Sequence, residues 1–548
     1  MYRDLSSFIR ALDDAGELVR ITEPVDPVLE IPAIADRESK RLDASPGSDD
    51  AARTDPEFHM AGGKALLFEN PIGAGFPVLI NAFGSYRRME MALGDRSFEE
   101  IAATIGALVK PEPPRSLGEA LAKARQFAPL LKIGPKRSGR PGACQEVVRT
   151  GDAIDLTTIP ILRCWPHDGD FARFGYPDAV NDGIEGAGHP GIDAEAWEAR
   201  FRGRFLTLAG IHTIHADDRD DPKPKSHNIG MYRVQLIGKD RLVMHWHMHH
   251  DGASHWRSWK KLGEPMPVAI ALGGPSVLPY GATCPLPPGI SELLMAGFLQ
   301  GRGVRLCRAK TVPLWVPADS EMVIEGFVRT DAGYPDWDPR RDDAGPLGDG
   351  AVLEGPFGDH TGFYSMPDRY PIVEVSAVTH RRGAVYPSTV VGLPIQEDYF
   401  LGKATERVML PLLKTILPDI GDYDLPVFGA FHNAACIKIT KHYPLHARKV
   451  MHGVWGAGQM AWTKTLFVVD DDVDVHDLTS VLDAVCRRCK PSRDIELAHG
   501  AVDILDHAAA RFGASRKIGF DATRKGPSED LDGEPLGAER EPPGERDR

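Results

Sequence analysis

The sequence has no run that approaches the roughly 18 uninterrupted apolar residues a bilayer-spanning helix requires. Its opening, "MYRDLSSFIRALDDAGELVRI", is charged throughout and lacks the apolar centre of a signal peptide, so a cytoplasmic location is expected. Basic clusters are missing too. The 64 Lys and Arg are outnumbered by 78 Asp and Glu, for a formal net charge of -14, a balance unsuited to neutralising phosphates and one that argues against a generic nucleic-acid binder. Cysteine is scarce: seven residues, scattered and odd in number, do not make a disulfide framework, so reduced thiols are expected. Cys486 and Cys489 form a CxxC, but it lies late in the apolar-periodic run "LTSVLDAVCRRC" with no second CxxC, and reads as two neighbours on a helix. What remains is a chain of 548 residues, 42% hydrophobic, long enough for two or three domains with their own cores.

The pattern along the chain is α/β, then β, then α/β again. A helix ending at Gly16, the strand "ELVRITEPV" and the helix "EIPAIADRESKRL" open the chain. The polar stretch 43–63 has the composition of a mobile loop, and a second loop-like insert covers 167–199. Between Phe205 and Phe327, short partly alternating runs separated by Gly, Pro or charge suggest a barrel or sandwich. After Asp331 the runs "PIVEVSAVTHRR", "RVMLPLLKTIL", "ACIKITK" and "TKTLFVVDDD" restore α/β alternation. Residues 525–548 have almost nothing to bury and are expected to be disordered. The acidic run Asp470–Asp472, between a strand and a helix, reads as solvated or capping residues rather than a cation site.

Four segments carry chemistry. "MHWHMHH", Met244 to His250, would direct His245, His247 and His249 to one face of a strand, where they could converge on a metal or merely line a polar groove. In "EMVIEGFV", Glu325 shares a face with Val323 and Phe327, which suits either a metal ligand or an edge strand with the carboxylate in water. "SHNIGMYR" holds Asn228 and Arg233 around Gly230, where a bulge could turn both inward; a turn asparagine and a surface arginine are the plainer reading. "LEGPFGDHTGFY" is a glycine-rich loop with Glu354, Asp359 and His360, paired acids suited to proton transfer or simply solvated.

Taken in order, "GELVRITEPVDPVLEI", "GKALLFENP", "RCWPHD", "NIGMYRVQLIGKDRL", "PADSEMVIEG", "EGPFGDHTG", "GVWG" and "KIGFDATRK" resemble the UbiD decarboxylases over nearly the whole chain. The resemblance is strongest to the branch that acts on 3-polyprenyl-4-hydroxybenzoate. It implies an α/β fold with an N-terminal α/β domain over 1–125, a central split β-barrel over 126–330 that binds prenylated FMN, and a C-terminal α/β oligomerisation domain over 331–524. It further implies a non-oxidative carboxy-lyase for an aromatic acid, with quinone biosynthesis as the setting, a menaquinone-pathway naphthoate or a simple hydroxybenzoate as alternative substrates, and a flavin prenyltransferase as supplier of the cofactor. A homo-oligomer, dimer or hexamer, and at most peripheral contact with the inner membrane follow from the same likeness.

Residue by residue, the resemblance assigns Asn228, His249 and Glu325 to a manganese ion that also binds the flavin phosphate, leaving His245 and His247 as groove residues. A potassium ion beside the manganese would be sought around Gly281 to Pro285. Asn228, Ile229, Gly230, Met231, Tyr232, Arg233, His249, His250 and Glu325 would contact the cofactor, with His250 standing where relatives often carry Lys or Arg. Arg233, Glu354 and Asp359 would form the catalytic trio; the aspartate stands where ferulic-acid-type relatives have glutamate. An amide, carboxylate, imidazole and phosphate set suits a hard-to-borderline divalent cation. Two other classes stay open: a zinc hydrolase built on the histidines, and a non-catalytic flavin-binding subunit.

Overall fold

The short alternating runs of the middle of the chain become one large antiparallel sheet, seen here in a computed structural model. It describes residues 1–529 except 111–112, 114, 120, 122–127, 178, 183, 190, 248, 288, 333–347, 510–512 and 527–528. Its ten strands are β1 (Val147–Thr150), β2 (Phe205–Leu206), β3 (Gly210–Thr213), β4 (Asn228–Met231), β5 (Val234–Leu236), β6 (Arg241–Met244), β7 (Met266–Leu272), β8 (Met322–Val328), β9 (Ala351–Glu354) and β10 (Asp368–His380). They run β2-β5-β6-β10-β8-β7-β3-β4, with β1 and β9 also pairing with β10. The path is open, as in a half-barrel. β7 and β8 are buried along nearly all of their length, and their Val, Ile and Ala side chains join the Trp256 and Trp259 faces of the helix Asp251–Leu262 in the main core.

Before this sheet, the helix Leu5–Asp14 buries Leu5, Phe8, Ile9 and Leu12, one face at helical spacing, behind an Asp4–Ser7 capping box. The strands Leu18–Ile21, Ala65–Phe68 and Val78–Ile80 form a small sheet that Tyr386–Pro387 completes. That late strand shows why the expected domain boundary at 331 does not hold: β9, β10 and Tyr386–Pro387 all return to earlier sheets. Residues Met1–Val408 make one compact unit. The stretch 43–63 is not a mobile loop either. It contains the helix Asp49–Thr54, capped by Ser48, and Asp55 beyond it accepts the hydroxyls of both Tyr86 (2.9 Å) and Tyr399 (2.7 Å).

The second unit begins at Met409. Its five-stranded sheet runs Ile420–Asp424, Ala434–Ile439, Thr465–Asp470, Ala514–Asp521, Ile495–Ala501, with parallel pairing among the middle three. Alternation along Ala434–Ile439 sends Ala435, Ile437 and Ile439 into a core with the helix His446–Val454, and Cys436 into another with the helix Leu478–Arg488. Cys486 is an exposed free thiol on the latter helix and Cys489 is its free C-cap, in line with the helical reading of the CxxC. Asp470 and Asp472 are met by Arg488 and Arg524. Of the tail 525–548, all but Lys525, Gly526 and Glu529 lies outside the described residues.

Candidate active site

Arg233 lies just past β4. The strand's register against β3 runs from Thr213↔Asn228 to Gly210↔Met231 without a shift, so the bulge expected at Gly230 is absent. The strand instead ends at Met231, which releases Arg233 from the alternation. Gly230 serves a different need: a Cβ there would lie 2.2 Å from the ring of Tyr232, which folds back over it.

Arg233 then meets both acids of the 354–359 loop. Its Nε and Nη2 donate to the two oxygens of Glu354 at 2.8 and 3.0 Å, its Nη1 to Asp359 Oδ2 at 3.1 Å, and Nη2 also to Ser365 Oγ at 2.9 Å. The guanidinium stacks over Phe357 with 4.6 Å between its carbon and the ring centroid. The Arg233 side chain is 9% exposed and that of Glu354 0%, so this is a buried, charge-assisted fork. Burial alone would raise the Glu354 carboxyl, but the Arg233 cation and His245 hold it at about 2. Asp359 is likewise held well below the usual carboxylate range against its burial, by His360 and Arg233; His360 Nδ1 lies 2.9 Å from Asp359 Oδ1.

The acid-bearing loop is clamped from behind. Asp168, fully buried, accepts Gly358 N at 2.8 Å through Oδ1 and the amides of Cys164 and Trp165 at 3.1 and 2.8 Å through Oδ2. Trp165 packs against Gly358 so closely that a Cβ there would sit 2.1 Å from the indole, and its Nε1 donates to Val391 O. Burial pushes the Asp168 carboxyl up to about 7 against these three donors. A "WPHD" turn and a "GPFGD" loop far apart in the chain thus set where Asp359 stands.

The histidine segment does not form the strand its spacing suggested. β6 ends at Met244, the helix Asp251–Leu262 begins at Asp251, and among the described residues no three His, Cys, Asp or Glu ligand atoms gather here. The three-histidine zinc site therefore loses its geometric basis. His245 is no groove residue: its Nδ1 lies 3.0 Å from Glu354 Oε2, and its ring packs at 4.3 Å on Tyr370 and 5.0 Å from His247. His247 stacks on His250 at 4.7 Å, His250 packs on Tyr232 at 4.9 Å, and His249 is exposed.

The implied metal ligands are not assembled as expected. Glu325 is buried in β8, in mid-sheet between β7 and β10, and its carboxylate accepts Lys310 N at 2.8 Å, Thr311 N at 2.6 Å and Thr311 Oγ1 at 2.9 Å. β7 and β3 separate it from β4, which carries Asn228. The carboxylate beside Asn228 is that of Glu292, at the start of the helix Glu292–Leu299. It accepts Asn228 Nδ2 at 3.2 Å and Ile229 N at 2.8 Å, and burial pushes its carboxyl up to about 7. Asn228 Oδ1 is buried and takes no hydrogen bond. A lone glutamate in the apolar run "SELLMAGFL" offers no spacing signal, which is why Glu292 escaped the sequence reading.

Family profiles match three parts of this chain: residues 9–108 as the N-terminal domain, 197–394 as the Rift-related domain and 399–522 as the C-terminal domain of 3-octaprenyl-4-hydroxybenzoate carboxy-lyase. The chain belongs to the UbiD family of carboxy-lyases. An uncharacterised protein of Aquifex aeolicus is 40% identical over 524 residues, which cover 96% of this chain and 92% of that one. The fold is that of Sedimentibacter hydroxybenzoicus vanillic acid decarboxylase in its closed form (TM-score 0.73, 22% identity, 100% of this chain and 97% of that one). It is also that of the UbiD-class enzyme HmfF from Pelotomaculum thermopropionicum, solved with FMN (TM-score 0.67, 23% identity, 98% of this chain and 97% of that one).

Proposed function

We propose that this chain is a prenylated-FMN-dependent, non-oxidative decarboxylase of an aromatic carboxylic acid, with a 3-polyprenyl-4-hydroxybenzoate of quinone biosynthesis as first candidate substrate. The observation that carries the reading is one buried arginine held by two acids from a single loop. Such an arrangement has no need to exist in a flavin carrier, and it suits orienting an aromatic acid and returning a proton to its ring. Relatives of the same fold act on vanillic acid or were solved with FMN, which agrees with that substrate class and cofactor.

The cofactor, when bound, supplies the electron sink that an aromatic carboxylate lacks. Asn228 and Glu292 fit the oxygen-preferring divalent cation, manganese, that would anchor it: a buried amide oxygen without a partner stands beside a carboxylate raised by burial, and the neighbouring Cys284 is kept a neutral thiol by its own burial. Four of the five N–H groups of Arg233 are already committed, so a substrate carboxylate can be held by the remaining Nη1–H, or by more only as Asp359 or Ser365 lets go. Glu354, which grips Nε and Nη2, is assigned as the acid that returns the proton, and Asp359 holds the guanidinium at Nη1.

The test is co-production with a flavin prenyltransferase, then a screen of prenylated hydroxybenzoates, naphthoates and simple phenolic acids for carbon dioxide release. Turnover on at least one acid, lost in Glu354→Gln with cofactor still bound, is the expected result. A cofactor-loaded chain inert on the whole panel, or Glu354→Gln at the parent rate, would overturn the assignment.

A further inference from the structure

Replacing a ring carboxylate by a ring hydrogen consumes one proton per turnover, yet the two acids at Arg233 both stand as carboxylates. Each is ion-paired and buried, and each has an imidazole at hydrogen-bond distance: His245 on Glu354 and His360 on Asp359. The two imidazoles differ. His360 is half-buried on the same loop as its acid, whereas His245 comes from the segment after β6 and its side chain is 9% exposed. Its Nε2 is buried and without a partner, an atom that nothing in a purely structural role requires.

The geometry points to His245 as the proton relay of this site, which feeds Glu354 from the Nδ1 side and is itself refilled at Nε2. The inference rests on the decarboxylase reading above. When the bond from ring to carboxyl carbon breaks, the ring carbon keeps the electron pair and carbon dioxide leaves. For that carbon to be protonated, a solvent proton is taken up at His245 Nε2, the Nδ1 hydrogen of the resulting imidazolium passes to Glu354 Oε2, and the carboxyl so formed gives its proton to the ring carbon and returns to carboxylate. The imidazole is left neutral with its hydrogen on Nε2, and proton exchange with solvent restores the Nδ1–H form.

The groups around the imidazole agree with this assignment. Arg233, Glu354 and Asp359 face it from the acid side, Tyr370 packs on it at a tilt from β10, and His247 lies next to it on its own segment. Burial and the Arg233 cation lower its pKa, so the ring rests neutral; a neutral imidazole that donates through Nδ1 carries a bare lone pair on Nε2. His247 and His250 are half-buried and continue the segment to the exposed His249, so the inner imidazole is the buried end of a polar stretch that reaches solvent.

The experiment compares the cofactor-loaded parent with His245→Asn, His245→Phe and His360→Asn on an acid the parent turns over. Asparagine keeps a donor near the place of Nδ1, so it preserves the hydrogen bond to Glu354 and the fold but cannot pass a proton through. A relay predicts that kcat falls about 10²-fold in both His245 variants with KM unchanged, and falls less in His360→Asn. A second reading needs no cofactor: nitrogen-15 spectra of histidine-labelled apo protein, assigned by the signal lost in His245→Asn, are expected to show Nδ1 protonated and Nε2 bare at neutral pH. His245→Asn at the parent kcat, or an Nε2–H tautomer, overturns the relay while leaving the decarboxylase in place. A parent that releases no carbon dioxide on any acid overturns both.

Discussion

At the scale of single residues, the site depends on charges that stabilise one another only together. Removing one partner of the buried Arg233–Glu354 pair strands the other, at a cost of about 3–5 kcal/mol, so Arg233→Ala should lower the unfolding free energy of apo protein in urea by that order. Arg233→Lys keeps the charge but not the fork, and its kcat should fall toward that of Arg233→Ala on any acid the parent turns over. Glu354 also sets a pH window. Its folded pKa of about 2 lies below the ordinary 4.5, so the unfolded chain binds the proton first as pH falls. The pair therefore contributes its full stability above about 4.5 and loses it between 4.5 and 2. The gap in Tm between parent and Glu354→Gln, measured on apo protein, should be constant at neutral pH and close across that interval. The metal assignment is equally open to measurement. Glu292→Ala should lose both bound manganese and flavin, whereas Glu325→Gln should keep both and lower Tm, because its carboxylate is occupied by Lys310 and Thr311.

At the scale of elements, the acid-bearing loop is held by a turn nearly two hundred positions upstream. Asp168→Asn replaces one acceptor oxygen with an N–H group that opposes backbone donors, and should displace Asp359 through Gly358. A misplacement near 1 Å would lower kcat by up to about 10²-fold, with KM for the acid little changed. What could be read from the sequence at this scale follows from periodicity. The helix Leu5–Asp14 announced itself because one face is apolar at a fixed spacing, and the central strands because short apolar runs are set off by Gly, Pro or charge. Arg233, Glu354 and Asp359 were visible because glycine-rich motifs frame them. Glu292 and Asp168 were not, and His245 stood out only as a metal or groove candidate: the partner of each comes from a distant segment, and no local pattern records a long-range hydrogen bond. The histidine run misled for the same reason, since an alternation of four residues cannot reveal that the strand has already ended at Met244.

At the scale of the molecule, the chain divides at Val408 rather than at 331, because β9 and β10 return to the central sheet. The first described elements after Asp331 are still strands of the central sheet, so the change of pattern there marks no change of unit. In the second unit, Ile437 is fully buried against the helix His446–Val454, and Ile437→Ala should cost about 2–5 kcal/mol in chemical denaturation. Apo protein carrying it should still bind manganese, because Asn228 and Glu292 both belong to the first unit. Among the described residues no helix is long and apolar enough to cross a membrane.

The guanidinium of Arg233 also bears on what the enzyme will ignore. A cation with four of its five N–H groups already held by its own neighbours offers only a single donor to acetate, formate or bicarbonate drifting in from the medium. Small anions at millimolar concentration should therefore leave turnover untouched, and admission falls to molecules whose aromatic body contributes enough binding to loosen the clasp.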